Sequence, residues 1–155
     1  MPTRPKSVPQ DLRLIGRVHH VAVVVSDLED ALGFYRDMLG LELETVLDIA
    51  HDGVRIAFLR VGESKVELVE PTDETTGVAR FLETKGEGFH HVCLEVVDLA
   101  DTLTRLAIDG VELIDTAPRK GAEGPVAFLH PRSCHGVLVE LIEARGGPAW
   151  AALGY

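Results

Sequence analysis

Residues 19–28 read HHVAVVVSDL, and residues 90–99 read HHVCLEVVDL. His-His-Val, an apolar run and Asp-Leu thus recur 71 positions apart, and self-similarity at a fixed period means one structural unit used twice. A second landmark supports this: Val66-Glu67-Leu68-Val69-Glu70 is answered by Val139-Glu140-Leu141-Ile142-Glu143. The chain is therefore read as a duplication.

Outward from these landmarks, the two halves follow one order. Val21–Val25 is short and rich in β-branched residues, which predicts a buried strand. Ser26 is expected to open a helix, with Glu29 completing a capping box. Leu28, Ala31, Leu32, Tyr35, Met38 and Leu39 continue at helical spacing, and Gly40 is a fitting stop. Strands at Leu41–Val46, Val54–Val61 and Val66–Val69 complete the first module. In the second, Asp98 is the expected N-cap, Leu99, Leu103, Leu106 and Ala107 form the apolar stripe, and Gly110 ends the helix. Strands follow near Val111–Ile114, Pro125–Leu129 and Val137–Ile142. The stretch Pro71–Gly88 is the connector, with a short helix at Val78–Leu82.

The expected fold class is α+β: two tandem βαβββ modules, about 17–71 and about 88–143, in a single domain over residues 1–155. One such module cannot easily cover both faces of its sheet. Two side by side can curl into a mixed-sheet half-barrel with helices outside, leaving a concave site lined from both repeats. The residues before Leu14, with three prolines, are expected to form a loose arm.

The 46% hydrophobic and 26% charged content is ordinary for a globular protein. With no long apolar run and no signal-like start, the expectation is a cytoplasmic protein without a membrane partner. A net charge of −10 repels a phosphate backbone, so nucleic acid is a poor partner. Cys93 and Cys134 have no CxxC spacing and read as inert thiols.

Four residues hold corresponding places in the repeats: His20 and His91 on the first strands, Glu67 and Glu140 on the last. Alternation along strands sends each pair to matching faces. If those faces line the cavity, two imidazoles and two carboxylates converge, a donor set suited to a divalent ion such as Co²⁺, Mn²⁺, Ni²⁺, Zn²⁺ or Fe²⁺. The same alternation points His19 and His90 the opposite way, as structural residues. Glu70 and Glu143, three residues past the ligands, fall on the opposite face and are expected to be exposed. His51, His130 and His135 fall in or near loops. Arg119, Lys120 and Arg132 are the loop cations of the second half that an anionic ligand could find.

This duplication, with His20, Glu67, His91 and Glu140 in place over about residues 17–143, resembles the vicinal oxygen chelate superfamily (glyoxalase, bleomycin resistance and dioxygenase proteins). Four longer runs resemble the methylmalonyl-CoA epimerases within it: HHVAVVVSDLEDALGFYRDMLGLEL, SKVELVEPT, GEGFHHVCLEV and FLHPRSCHGVLVELIE. The resemblance implies a divalent metal held by the four named residues, Co²⁺ foremost and Mn²⁺, Ni²⁺, Zn²⁺ or Mg²⁺ as alternatives. It also implies an acyl-CoA thioester substrate, a homodimer, and removal and return of the proton between a thioester and a carboxylate, with Glu140 taking part. Epimerisation needs acid and base groups on opposite faces. Some members carry a second Glu after a Gln-Gly-Val turn; aligning that turn with Asp52-Gly53-Val54 puts Ile56 there instead. Asp48, His51, Asp52 or a metal-bound water are the substitutes. Rival readings are a glyoxalase-like isomerase acting on a glutathione adduct, an Fe²⁺ extradiol dioxygenase, and a metal-free binding protein of the same fold. The fourth ligand argues against the dioxygenase.

Overall fold

The computed structural model describes residues 14–155; the arm expected before Leu14 lies outside them. The strands are β1 (Ile15–Val24), β2 (Glu42–Ile49), β3 (Val54–Val61), β4 (Ser64–Pro71), β5 (Gly88–Val96), β6 (Arg119–Lys120), β7 (Pro125–Leu129) and β8 (Val139–Glu143). They form one eight-stranded sheet in the order β2-β3-β4-β1-β5-β8-β7-β6. Each half pairs its first and last strands in parallel, β1 with β4 and β5 with β8, and the halves meet where β1 runs antiparallel to β5. The order reads the same outward from that seam in both directions. This is the curled mixed sheet that the repeat predicts.

Alternation along the strands divides the core. On the outer face Ala57, Leu59 and Leu68 pack under α1 (Leu28–Leu32), together with Val25, Leu28 and Leu32. The second half repeats this with Ala127, Leu129 and Leu141 under α3 (Leu99–Ile108), together with Val96, Leu99 and Leu103. On the concave face Val54, Ile56, Phe58 and Val69 form a separate cluster with Ala22. Burying side chains of this size contributes about 1.5–3 kcal/mol each, so the helices are held by the sheet more than by their own propensity.

Several local expectations change. The first helix is capped by Asp27, whose carboxylate accepts from Asp30 N, rather than by Ser26. Ser26 instead donates through both its N–H and its hydroxyl to Glu87 Oε1, at 2.8 and 2.9 Å. After Leu32 the helix widens into a π turn over Gly33–Met38. Asp98 caps α3 as expected, accepting from Asp101 N. No strand forms at Val111–Ile114, where only an isolated bridge joins Leu113 to Leu129; the edge position is taken by the two-residue β6. The connector helix is longer than expected and runs as α2 (Gly77–Lys85). No described helix is long and apolar enough to cross a membrane.

Glu70 and Glu143 do lie on the face opposite the proposed ligands, but they are not exposed. That face carries the helices, whose first N–H groups lack intrahelical partners and attract anions. Glu70 Oε2 accepts from Leu28 N at 2.6 Å. Glu143, 2% exposed, accepts from Leu99 N at 2.9 Å and from Ala149 N at 2.8 Å. It thereby ties β8 to α3 and to the C-terminal helix α4 (Pro148–Ala152). Gly147 makes room, since a Cβ there would meet the Glu143 carboxyl carbon at 2.5 Å.

Replacing Glu143 with Leu strands two buried N–H groups and should cost about 3 kcal/mol, lowering Tm by roughly 6–12 °C. Glu143→Gln, which keeps one acceptor, should lose less than half of that. Calorimetry checks both, and a leucine variant as stable as the parent would refute the bridging role.

Candidate functional site

The four residues singled out by the repeat meet on the concave face. His20 comes from β1, His91 from β5, Glu67 from β4 and Glu140 from β8, so each of the four central strands supplies one group. His20 Nε2 lies 2.8 Å from Glu67 Oε2, 3.2 Å from Glu140 Oε2 and 3.2 Å from His91 Nε2. His91 Nε2 in turn lies 2.8 Å from Glu140 Oε2. Donor atoms of His20, Glu67 and His91 fall within 4.8 Å of one another and could hold a metal ion. Both histidines and Glu140 are buried, and Glu67 is nearly so.

The cluster forms the floor of a cavity of about 440 Å³. Ile56 and Val69 wall it on one side, Val126 and Ile142 on the other. Phe58 meets the His20 ring edge to face at 5.6 Å, and Phe128 meets His91 in the same way at 5.3 Å. The two phenylalanines are themselves a repeat, Ala57-Phe58-Leu59 against Ala127-Phe128-Leu129, so a signal for them was present in the sequence.

His19 and His90 depart from the alternation rule. Along β1, Val18 pairs with Leu94 and His20 with Cys93, so His19 is an extra residue; along β5, Ala22 faces His91 and Val23 faces Phe89, so His90 is extra. Each is a β-bulge, which breaks the alternation and re-aims the bulged side chain. His19 Nδ1 therefore sits 2.8 Å from His20 Nδ1, and His90 Nδ1 sits 2.8 Å from His91 Nδ1. His90 lines the main cavity. His19 borders a second one of about 390 Å³, near Lys65 and Glu123. Lys65 Nζ reaches both Glu123 oxygens at 2.8 Å, an ion pair that neither residue's position in the repeat foretells.

The other candidates separate. Asp52 and Arg119 line the main cavity, and the Arg119 guanidinium lies over Phe128 at 5.3 Å. His51 is exposed beside Asp52, and Asp48 is exposed beside Arg55. His130 caps a turn by accepting from Arg132 N. His135, exposed and at φ 55°, is a loop residue, and Arg132 pairs with Glu112 near the surface. Lys120 lies over Tyr155.

Burial disfavours charge on the His20 ring, but Cys93, Glu140 and Glu67 outweigh it and push its pKa up to about 12. Burial likewise opposes the Glu140 carboxylate, but hydrogen bonds from His20 and His91 hold it well below the usual carboxylate range. Two carboxylates in this floor thus demand a cation between them, and a proton on His20 answers the demand in the metal-free protein. Burial, reinforced by charged neighbours, lowers His19 and His90 to about 4, and burial raises the Cys93 thiol to about 12.

Comparison with known proteins identifies the family. Residues 19–129 match the model of the glyoxalase/bleomycin resistance protein/dioxygenase superfamily. Mitochondrial methylmalonyl-CoA epimerase of Mus musculus is 41% identical over 132 residues, which cover 84% of this chain and 74% of that protein. Ethylmalonyl-CoA/methylmalonyl-CoA epimerase of Cereibacter sphaeroides is 41% identical over 131 residues, covering 83% of this chain and 98% of that one. A Streptomyces coelicolor methylmalonyl-CoA epimerase variant solved in complex with 2-nitronate-propionyl-CoA superposes with a TM-score of 0.81 at 33% identity. That match covers 86% of this chain and 97% of the other.

In chelator-stripped protein, ¹⁵N-histidine spectra at pH 8 should show His20 as an imidazolium, because its proton is retained until pH approaches 12. His19 and His90 should remain neutral down to about pH 5, since their folded values lie near 4. A His20 that titrates near 6.5 would contradict the charge balance described.

Proposed function

Because the chain belongs to the methylmalonyl-CoA epimerase family of the glyoxalase/bleomycin resistance/dioxygenase superfamily, we propose that it interconverts the (R) and (S) epimers of methylmalonyl-CoA. The observation that carries the reading is the convergence of His20, Glu67, His91 and Glu140 at the floor of a largely apolar cavity.

The donor set fits a divalent ion. Two ligand atoms each roughly 2.1 Å from one ion, and at right angles to one another, lie roughly 3 Å apart. The contacts between the two Nε2 atoms and the carboxylate oxygens, at 2.8 and 3.2 Å, match that spacing. Mixed imidazole and carboxylate ligands suit Co²⁺ first, with Mn²⁺, Ni²⁺, Zn²⁺ and Mg²⁺ as alternatives. Held by these four residues, such an ion would supply Lewis-acid stabilisation of the charge that develops on the thioester oxygen.

The chain's own groups do the rest. Glu140, buried beside both histidines, takes or returns the proton on the carbon between thioester and carboxylate. The apolar walls of Ile56, Val126 and Ile142 keep water from the enolate and strengthen the electrostatics around it. Ile56 itself brings no proton. Among Asp48, His51 and Asp52, only Asp52 lines the cavity, which supports Asp52 as the second acid and base. Arg119 at the wall offers a cation to the anionic substrate despite the net charge of −10. A cavity of about 440 Å³ holds the acyl end, with the rest of the CoA thioester reaching outward. A symmetric homodimer, the commonest oligomer, and a cytoplasmic location belong to the same proposal.

Incubating metal-loaded protein with one epimer in D₂O should place deuterium at the methine carbon as optical purity is lost, and a chelated sample should do neither. Glu140→Gln should cut the rate roughly 10²–10⁴-fold. Tightly bound metal without exchange would defeat the epimerase reading and favour a glyoxalase-like isomerase; absence of bound metal would favour a binding protein.

A further inference from the structure

The bulges at His19 and His90 do more than bend the strands. Across each, two imidazole nitrogens meet at 2.8 Å, His19 Nδ1 with His20 Nδ1 and His90 Nδ1 with His91 Nδ1. At that distance one nitrogen must carry a proton and the other a lone pair. A neutral imidazole has a single proton, so a His20 or His91 that offers Nε2 as a ligand keeps its proton on Nδ1.

Resting on the metal-site reading above, we infer that His19 and His90 are positioning residues: each accepts the Nδ1–H of the following histidine and so fixes its tautomer and ring plane for coordination. The geometry is the same in both halves, with ring centroids 5.1 Å apart and ring planes at 76° and 77°. It arises from two separate bulges on opposite sides of the β1–β5 seam. A single strained contact could be incidental, but two matched ones are built by the repeat.

The proton assignment continues outward on one side. With Nδ1 accepting, His19 carries its own proton on Nε2, which faces Glu123 Oε2 at 3.6 Å. Lys65 holds that carboxylate in place. Glu123 therefore stands near His19 without a hydrogen bond to it, and the histidine–histidine contact is itself the outer interaction of the kind that orients metal-ligating imidazoles. Behind His91, His90 is steadied by the edge of Phe81 at 5.0 Å and its ring borders the cavity.

The test compares Co²⁺ affinity, by chelator competition, for wild-type protein, His90→Leu and His90→Asn. Leucine fills the volume but cannot accept a hydrogen bond; the asparagine oxygen can take the place of Nδ1. His90→Leu should weaken Co²⁺ binding about 10–100-fold, and His90→Asn should recover most of the loss. Long-range ¹H–¹⁵N spectra of Zn²⁺-loaded wild-type protein should show His20 and His91 bound through Nε2 with the proton on Nδ1. A leucine variant that binds Co²⁺ as tightly as wild type, or ligation through Nδ1, would overturn the positioning role while leaving the metal site standing. Wild-type protein that binds neither ion would overturn the metal reading and this role together. Should the leucine variant fail to fold, the wild-type spectrum decides alone.

Discussion

The antiparallel seam between β1 and β5 is the constraint on which the rest of this structure hangs. It sets His20 and His91, one from each repeat, with their Nε2 atoms 3.2 Å apart. The parallel partners β4 and β8 then bring Glu67 and Glu140 to the same floor. A slip of one residue in that pairing would turn these side chains to the helix-covered face, because side chains alternate with period two. The symmetric sheet order follows from the same pairing: each half has a single free edge of its β-unit at the seam, and joining those edges closes both.

Gathering two carboxylates and two imidazoles under low exposure is expensive, since an unpaired buried charge costs several kcal/mol. The protein offsets this locally. Glu140 is bonded to both histidines, His20 bridges both carboxylates, and the Nδ1 edges of the histidines are satisfied by His19 and His90. Among the described residues no buried side-chain polar atom lacks a partner. The outer face handles its charge in the same way, with Glu70 and Glu143 taken up by helix N-termini. Polar groups are thus tied to named partners on both faces, and the apolar side chains between them are free to set the packing.

Much of this was legible because duplication doubles every signal. A lone histidine in a strand says little; His20 and His91 in matching contexts, each followed by an acidic residue in a matching final strand, say where the cavity floor lies. The strands Val54–Val61 and Pro125–Leu129 could be bounded to the residue because apolar runs end at turn residues on both sides. The failures share a cause, namely rules of local regularity applied where the chain is irregular. Strict alternation placed His19 and His90 on the wrong side because bulges carry no sequence mark of their own. Exposure of Glu70 and Glu143 is expected from their place on the face opposite the ligands, whereas helix ends on that face provide donors that make a buried carboxylate favourable. The Ser26 assignment lost to Asp27 one residue later, where the same short-side-chain chemistry occurs with the better geometry. Val111–Ile114 has strand-like composition and does lie along the free edge of Leu129, but it makes a single bridge there before Ile114 N and Asp115 N both turn onto Phe128 O.

The two halves are alike at the cavity floor and apolar walls and unlike in the charges around them. Ile56 and Val126 hold corresponding wall positions, as do Phe58 and Phe128, so the walls give a symmetric apolar surround in which a few charges weigh heavily. Against it, Asp52 lines the cavity from the first half and Arg119 from the second, while Glu123 and Lys65 pair behind His19 and, among the described residues, no such ion pair stands behind His90. A substrate with a carboxylate at one end of its acyl group and a long CoA arm at the other is itself without symmetry. The repeat supplies the rigid floor that converges four groups on one point, and the departures from the repeat give that floor a direction along which such a molecule can be held.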